Sequence, residues 1–323
     1  MGPLHASIDI GSNSAKLMVA SLDEGVVRPR IELMQSVRIG ADHETLSPET
    51  LQRLREVLIR FRQTLSNTGA HLERVVMTGA IRRFADPQPA QMVVQEVLSR
   101  EGEIISGEEE ARLAWLAVRH RYGKPGFLAL DVGAGSSELS TRNHLLSIPM
   151  GALTLAREFG PAPHPGEMRS ALVNRLEEYD LRRFAGRPTF VSGGSACAVA
   201  SLALGQKKFN AGEIEGFDLD MELLDRMALR LRSLSDENRN SLPGLQDGRG
   251  EMVLPGLHLV EAILKKLNPV SIRVSTLGLR YGVLSERLLS EIDDPPELEE
   301  PQVQEEEKPP SPPRRRRRST KSE

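Results

Sequence analysis

Residues 127–139 read FLALDVGAGSSEL, and residues 4–16 read LHASIDIGSNSAK. Each begins with a short apolar run that suits a buried strand, sets an aspartate near its end (Asp131, Asp9) and turns through a Gly/Ser cluster into a second strand. The two stretches lie about 120 residues apart, a repeat at the scale of a whole domain. This predicts an α/β fold of two similar domains, each opening on a pair of strands joined by a tight turn. Such a turn aims several backbone N–H groups at one point, a concavity suited to phosphate. Glycine lets the backbone come close, and the aspartate can hold Mg2+ directly or through water. One turn of this kind is common in ordinary loops. Two in matching places predict a pair facing each other across a cleft.

Working outward, 4–10 and 15–22 read as strands, with 26–39 as a third. Ser47-Pro48 starts a helix, Ser as cap and Pro at the first position. Leu51, Leu54, Leu58, Phe61 and Leu65 keep helical spacing up to Gly69. A strand at 73–78, a helix near 88–100, a strand near 103–105 and a helix over 107–121 complete the first half. Gly123-Lys124-Pro125-Gly126 marks the boundary, giving domains of 1–124 and 125–290. In the second half, strands fit 127–132, 137–141, 144–149, 188–192 and 271–275. Helices fit near 165–183, 193–204, 219–233, 249–267 and 278–290, the last of which can pack back on the first domain. From 291 the chain turns acidic, then runs Pro-Pro-Ser-Pro-Pro into five arginines, with almost nothing apolar to bury; this tail is expected to be disordered.

The bulk composition excludes several classes. There are 323 residues, enough for two domains, and no apolar run approaches a membrane span. The start, MGPLHASIDIG, shows no signal peptide, and the lone Cys197 permits no internal disulfide; both fit a soluble, reducing, cytoplasmic setting. Of 42 Lys+Arg and 45 Asp+Glu, the last 33 residues hold seven and ten, leaving 35 of each sign in the body. A balanced body is no general nucleic-acid binder, so polyanions must be met by local clusters and backbone amides. The arginine run offers at most a weak, non-specific attraction for polyphosphate, nucleic acid or a membrane surface.

IDIGSNSAKLMVA (8–20), TGAIRRFAD (78–86), EIISGEEEARLAWLAV (103–118), LDVGAGSSEL (130–139), MGALTLAREF (150–159), SGGSACAV (192–199), RGEMVLPG (249–256) and STLGLRYGVL (275–284) stand in the order typical of the exopolyphosphatase / guanosine-pentaphosphate phosphatase (Ppx/GppA) family. The chain resembles that family over about residues 4–290. The resemblance implies two ribonuclease-H-like domains of the actin, sugar-kinase and heat-shock ATPase superfamily, flanking a cleft. It also implies a phosphoanhydride hydrolase. Glu110 matches the catalytic glutamate, placed to orient or deprotonate the attacking water; on spacing alone Glu108, Glu109 and Glu110 simply favour the start of a helix dipole. Asp131, Glu138 and Asp9 match the metal side, for Mg2+ with Mn2+ as a substitute and room for a monovalent cation. Gly11, Ser12, Asn13 and Ser14 form the first phosphate turn, and Gly133, Ala134, Gly135 and Ser136 the second. Ala134 departs from the family's glycine, which is tolerated only at negative φ. Arg82 matches a phosphate-binding arginine, with Arg83 as an alternative anchor. Ser192, Gly193, Gly194 and Ser195 either present amides to phosphates or form a plain strand-to-helix turn. Tyr281 stands where the family usually has Glu, so no chemical role is given to that segment, and Cys197 reads as a small core residue.

The expected reaction is Mg2+-dependent removal of the terminal phosphate of inorganic polyphosphate. Short chains are favoured, because relatives often carry a further helical domain that this stretch lacks. The alternatives are the same cut on guanosine pentaphosphate (pppGpp), a non-catalytic polyphosphate or nucleotide sensor, and an ATP-dependent kinase of the wider fold. The last is disfavoured because no sugar site is recognisable. A homodimer is expected by resemblance alone.

Overall fold

The computed structural model describes residues 2–42, 45–123, 126–246 and 248–289. The expected tail and the centre of the expected boundary, Lys124-Pro125, lie outside the described residues.

The first half is a five-stranded sheet with two covering helices. Strand β1 (Leu4–Ile10) pairs antiparallel with β2 (Ser14–Asp23), and β2 with β3 (Val26–Ser36). Ser47 caps α1 (Pro48–Thr68), its hydroxyl accepting from the Thr50 amide at 3.2 Å, and Gly69 ends it in the left-handed region. Strand β4 (His71–Met77) runs parallel to β1, and α2 (Gln88–Leu98) leads to the short β5 (Glu103–Ile104) beside β4. The strand order is β3-β2-β1-β4-β5. Ile8, Leu17, Leu54, Leu58 and Phe61 meet in one apolar core between sheet and helices.

Helix α3 (Gly107–Tyr122) follows, then β6 (Leu128–Val132), β7 (Ser137–Ser140) and β8 (Leu145–Ile148), antiparallel in succession. Helices α4 (Ala152–Phe159) and α5 (Pro165–Leu176) precede β9 (Pro188–Ser192), which is parallel to β6. Then come α6 (Gly194–Ala203), α7 (Ala211–Ile214), β10 (Asp218–Leu219), α8 (Met221–Arg232), α9 (Asp236–Asn240), α10 (Val253–Leu267), β11 (Ser271–Val274) and α11 (Leu279–Leu289). The second sheet is ordered β10-β11-β9-β6-β7-β8. Without β10, its strands in order of appearance repeat the 3-2-1-4-5 order of the first sheet. This is the doubled α/β architecture expected of an actin-like fold.

Helix α11 packs back on β1 and β2, and also against α3. Helix α3 in turn packs on β6, β7 and β8. Its Leu113 joins Val76, Leu279 and Val283, while its Val118 joins Phe127, Ala129 and Phe190. Helix α3 therefore serves both sheets rather than the first alone, because apolar side chains emerge on two of its faces.

Several expected boundaries shift. The third strand stops at Ser36, since Val37 and Arg38 both turn their amides to the Asn13 carbonyl at 2.9 Å. The helix expected to reach 183 ends at Leu176, and Leu181–Phe184 form a separate single turn. The helix expected from 249 begins at Val253. The short elements α4, α7, α9 and β10 carry too few residues for a readable period.

Candidate active site

The two Gly/Ser turns are built alike. In the first, the Gly11 amide donates to the Ser14 carbonyl at 3.0 Å; in the second, the Gly133 amide donates to the Ser136 carbonyl at 2.9 Å. These bonds close each turn. Among the described residues, no hydrogen bond to a protein group uses the amides of Ser12, Asn13, Ala134, Gly135 or Ser136. Helix α4 fixes the second turn from behind. Its Ala152 amide donates to the Gly133 carbonyl and its Leu153 amide to the Ala134 carbonyl, both at 2.9 Å. With the carbonyls held that way, the amides are left for the cleft. Ala134 has no positive φ, so its side chain carries no strain there.

The turns meet. A Cβ on Gly135 would come 2.4 Å from Ser12 Oγ, so only glycine permits this approach. Ser12 Oγ also accepts from the Ala80 amide at 2.8 Å, tying the first turn to the segment that carries Arg82. Around this contact opens a cavity of about 1470 Å³, lined by both turns and by Asp9, Lys16, Glu110, Asp131 and Arg249.

Glu110 stands in the first turn of α3, whose cap is Ser106. Arg82 Nη1 donates to Glu110 Oε2 at 2.7 Å and to the Ile105 carbonyl at 3.1 Å; Nη2 lies 3.5 Å from Ser136 Oγ. Burial pushes the Glu110 carboxyl up to about 7; Arg82 opposes this, while the charges of Asp9 and Asp131 add to it. Its neighbour Glu109 turns the other way, into ion pairs with Arg74 and Arg112.

Asp9 and Asp131 occupy matching positions, opposite Lys16 and Glu138 respectively. Lys16 Nζ donates to Asp9 Oδ2 at 3.2 Å. Burial raises the Asp131 carboxyl, with Lys16 and a hydrogen bond from Ser192 pulling it down. Glu138 is 1% exposed and accepts from Ser147 Oγ at 2.9 Å. Burial, then Glu110, then Asp131 hold it well above the ordinary range. It is not among the residues lining the cavity, so it lies beneath the site rather than in it.

The donor set fits a hard divalent cation. Asp9, Glu110, Asp131 and Glu138 are four neighbouring carboxylates, the charges of Asp9 and Asp131 adding to the rise of Glu110, set against Lys16, Arg82 and Arg249. No three of them converge into a cage among the described residues. Oxygen donors of this kind suit a cation that keeps waters and takes one or two carboxylates plus substrate oxygens.

One expected ligand faces elsewhere. Ser195 Oγ lies against Gly256 of α10, where a Cβ would meet it at 2.0 Å, so that hydroxyl belongs to helix packing. The Arg249 guanidinium covers the start of α6; a Cβ on Gly194 would fall 1.5 Å from its Nη1. Arg82 is engaged with Glu110 rather than standing free, and neither it nor Arg83 lines the cavity. Cys197 is buried, and that burial pushes its thiol up to about 12, as suits an inert core residue. Sequence reasoning missed Lys16 and Arg249. Lys16 was findable, because it stands seven residues after Asp9 as Glu138 does after Asp131.

The model of the Ppx/GppA phosphatase family matches residues 18–291. An Aquifex aeolicus member of that family has a crystal structure that is 23% identical, covers 90% of this chain and 99% of its own, and superposes with a TM-score of 0.76. An exopolyphosphatase from Cytophaga hutchinsonii is 21% identical over 89% of this chain and 98% of its own, with a TM-score of 0.79. At these identities the structural likeness establishes the fold.

Proposed function

The chain belongs to the Ppx/GppA phosphatase family, and from that premise we propose that it is an exopolyphosphatase, removing the terminal phosphate of inorganic polyphosphate. One observation carries the reading. A glutamate with a carboxyl near 7 faces a pocket where two turns offer unused backbone amides. A general base poised near neutrality is what activation of water requires.

In the proposed reaction the amides of Ser12, Asn13, Ala134, Gly135 and Ser136 hold the terminal phosphoryl oxygens. Arg82 keeps the Glu110 carboxylate aimed at the water and, beside Ser136, lends positive charge to the transferring group. Water oxygen attacks phosphorus, and its proton passes to Glu110. The bridging P–O bond breaks, and its electron pair stays on the shortened chain, whose charge Lys16 and Arg249 balance. Glu110 then loses its proton to solvent. Asp131 and Asp9 would hold Mg2+, with Glu138 setting the charge beneath them. When bound, the ion neutralises phosphate oxygens during transfer.

The cavity lining includes one aromatic side chain, Phe209, among the described residues. That ring gives at most one stacking surface for a nucleobase, whereas the unused amides and the cleft cations all suit phosphate oxygens, a balance that favours an all-phosphate chain over guanosine pentaphosphate. Among the described residues no helix is long and apolar enough to cross a membrane. Phosphate release from polyphosphate and from guanosine pentaphosphate, measured side by side, tests this preference. Faster release from the nucleotide reverses it.

A further inference from the structure

The cavity is larger than a terminal phosphate needs, and exposed cations line part of it. At about 1470 Å³ it exceeds the usual range for small-molecule pockets, about 300–1,000 Å³. Two of the residues lining it are Lys207 and Lys208, on the turn between α6 and α7; both are exposed. Arg60 faces the cavity from α1 in the other half of the molecule.

These lysines sit on a turn built with care. Gln206 is buried beneath it. Its side-chain oxygen accepts from Ser201 Oγ at 2.9 Å and from the Asn210 amide at 3.0 Å. Its nitrogen donates to the Asn210 carbonyl at 3.2 Å and to Glu213 Oε2 at 2.9 Å. The Lys207 carbonyl accepts from the Gly244 amide at 3.3 Å. Asn210 caps α7 through the Gly212 amide. Glu213 is the nearest acid in sequence that lines the cavity, and the amide groups of Gln206 and Asn210 already engage it. No ion pair among the described residues involves Lys207, Lys208 or Arg60. Of the other cleft cations, Lys16 pairs with Asp9 and Arg280 with Glu32, while Arg249 is half-buried and donates to Met34 Sδ at 3.7 Å.

A fixed turn that presents two adjacent ammonium groups without ion-pair partners among the described residues, in a cavity that the Arg60 guanidinium also lines, is complementary to a linear polyanion. We propose that Lys207 and Lys208, together with Arg60 from α1, hold the distal phosphates of the chain and set its length preference. This rests on the polyphosphate reading above. Cations in exposed positions act by displacing counter-ions, so their contribution depends on salt. A chain of three phosphates, anchored at the two glycine turns, draws less on them than one of tens.

The test is calorimetric binding of tripolyphosphate and of a medium-chain polyphosphate, in a Glu110→Gln background so that nothing is consumed. Lys207→Ala with Lys208→Ala raises Kd for the medium chain about tenfold at low salt and for tripolyphosphate less than about twofold. Lys207→Arg with Lys208→Arg keeps tight binding, and the tenfold gap closes as salt rises. An equal change for both ligands, or none for the longer one, overturns the proposal. The binding comparison needs no turnover. Absence of phosphate release by the wild-type chain therefore overturns the hydrolase reading and leaves the decision on the lysines to calorimetry.

Discussion

At the scale of single residues, three consecutive glutamates show how environment sorts chemically equal groups. Spacing gives Glu108, Glu109 and Glu110 the same place in a first helical turn. In the fold Glu109 is held below its ordinary pKa by Arg112 and Arg74 despite partial burial, whereas Glu110 rises to about 7 beside Asp9 and Asp131. As the proposed base, Glu110 works only when ionised. Turnover therefore falls as pH drops below about 7, and a pH–rate profile reads it directly. Arg82 holds that carboxyl down, so Arg82→Ala moves the acidic limb to higher pH, opposite to a mere loss of substrate affinity. Glu138 gives a stability prediction. Its folded pKa is raised, so its contribution to stability is full in acid and is lost as pH climbs past the ordinary glutamate value toward the raised one. Glu138→Gln keeps the acceptor for Ser147 and removes the charge. It stabilises the protein at pH 8 and does little at pH 5, seen as a Tm gain confined to the higher pH.

At the scale of elements, the strand–turn–strand units were legible because three signals coincide in each: an apolar run, a terminal aspartate and a Gly/Ser turn. The long helices were legible through their period and caps, Ser47 and Gly69 for α1 above all. Much of the site was not. The pairing of Arg82 with Glu110, and the turning of Ser195 into α10, depend on contacts between residues 28 and 61 positions apart. No local pattern records such contacts. Nor could the sequence show that α3 serves both sheets, since its apolar positions do not name their partners. The seam between α3 and α11 is close: a Cβ on Gly282 would lie 2.0 Å from the Leu113 carbonyl. Gly282→Ala forces the helices apart and destabilises by about 2 kcal/mol or more, measurable by urea unfolding. The next residue toward the N-terminus, Tyr281, is buried, and its hydroxyl donates to the Val27 carbonyl. That explains a tyrosine there without any part in the chemistry.

At the scale of the whole molecule, one carboxylate joins the places where the chain passes between its halves. Glu215, just after α7, accepts from Tyr122 Oη at 2.7 Å at the end of α3. It also accepts from the Thr276 amide at 2.6 Å and from Thr276 Oγ1 at 2.8 Å, ahead of α11. Glu215→Ala frees both crossings. The expected result is a loss of about 1–3 kcal/mol of stability and faster amide hydrogen exchange at the end of α3 and the start of α11, with the pH dependence of turnover unchanged. The central claim is that Glu110 activates water against a terminal phosphoanhydride held by the two turns. The most direct measurement is phosphate release in Mg2+ from medium-chain polyphosphate and from guanosine pentaphosphate, by the wild-type chain and by Glu110→Gln. The account predicts release from polyphosphate by the wild type, and a fall of about 10²–10⁴-fold in the variant with binding retained. Near-full release by the variant, or none from either substrate by the wild type, contradicts it.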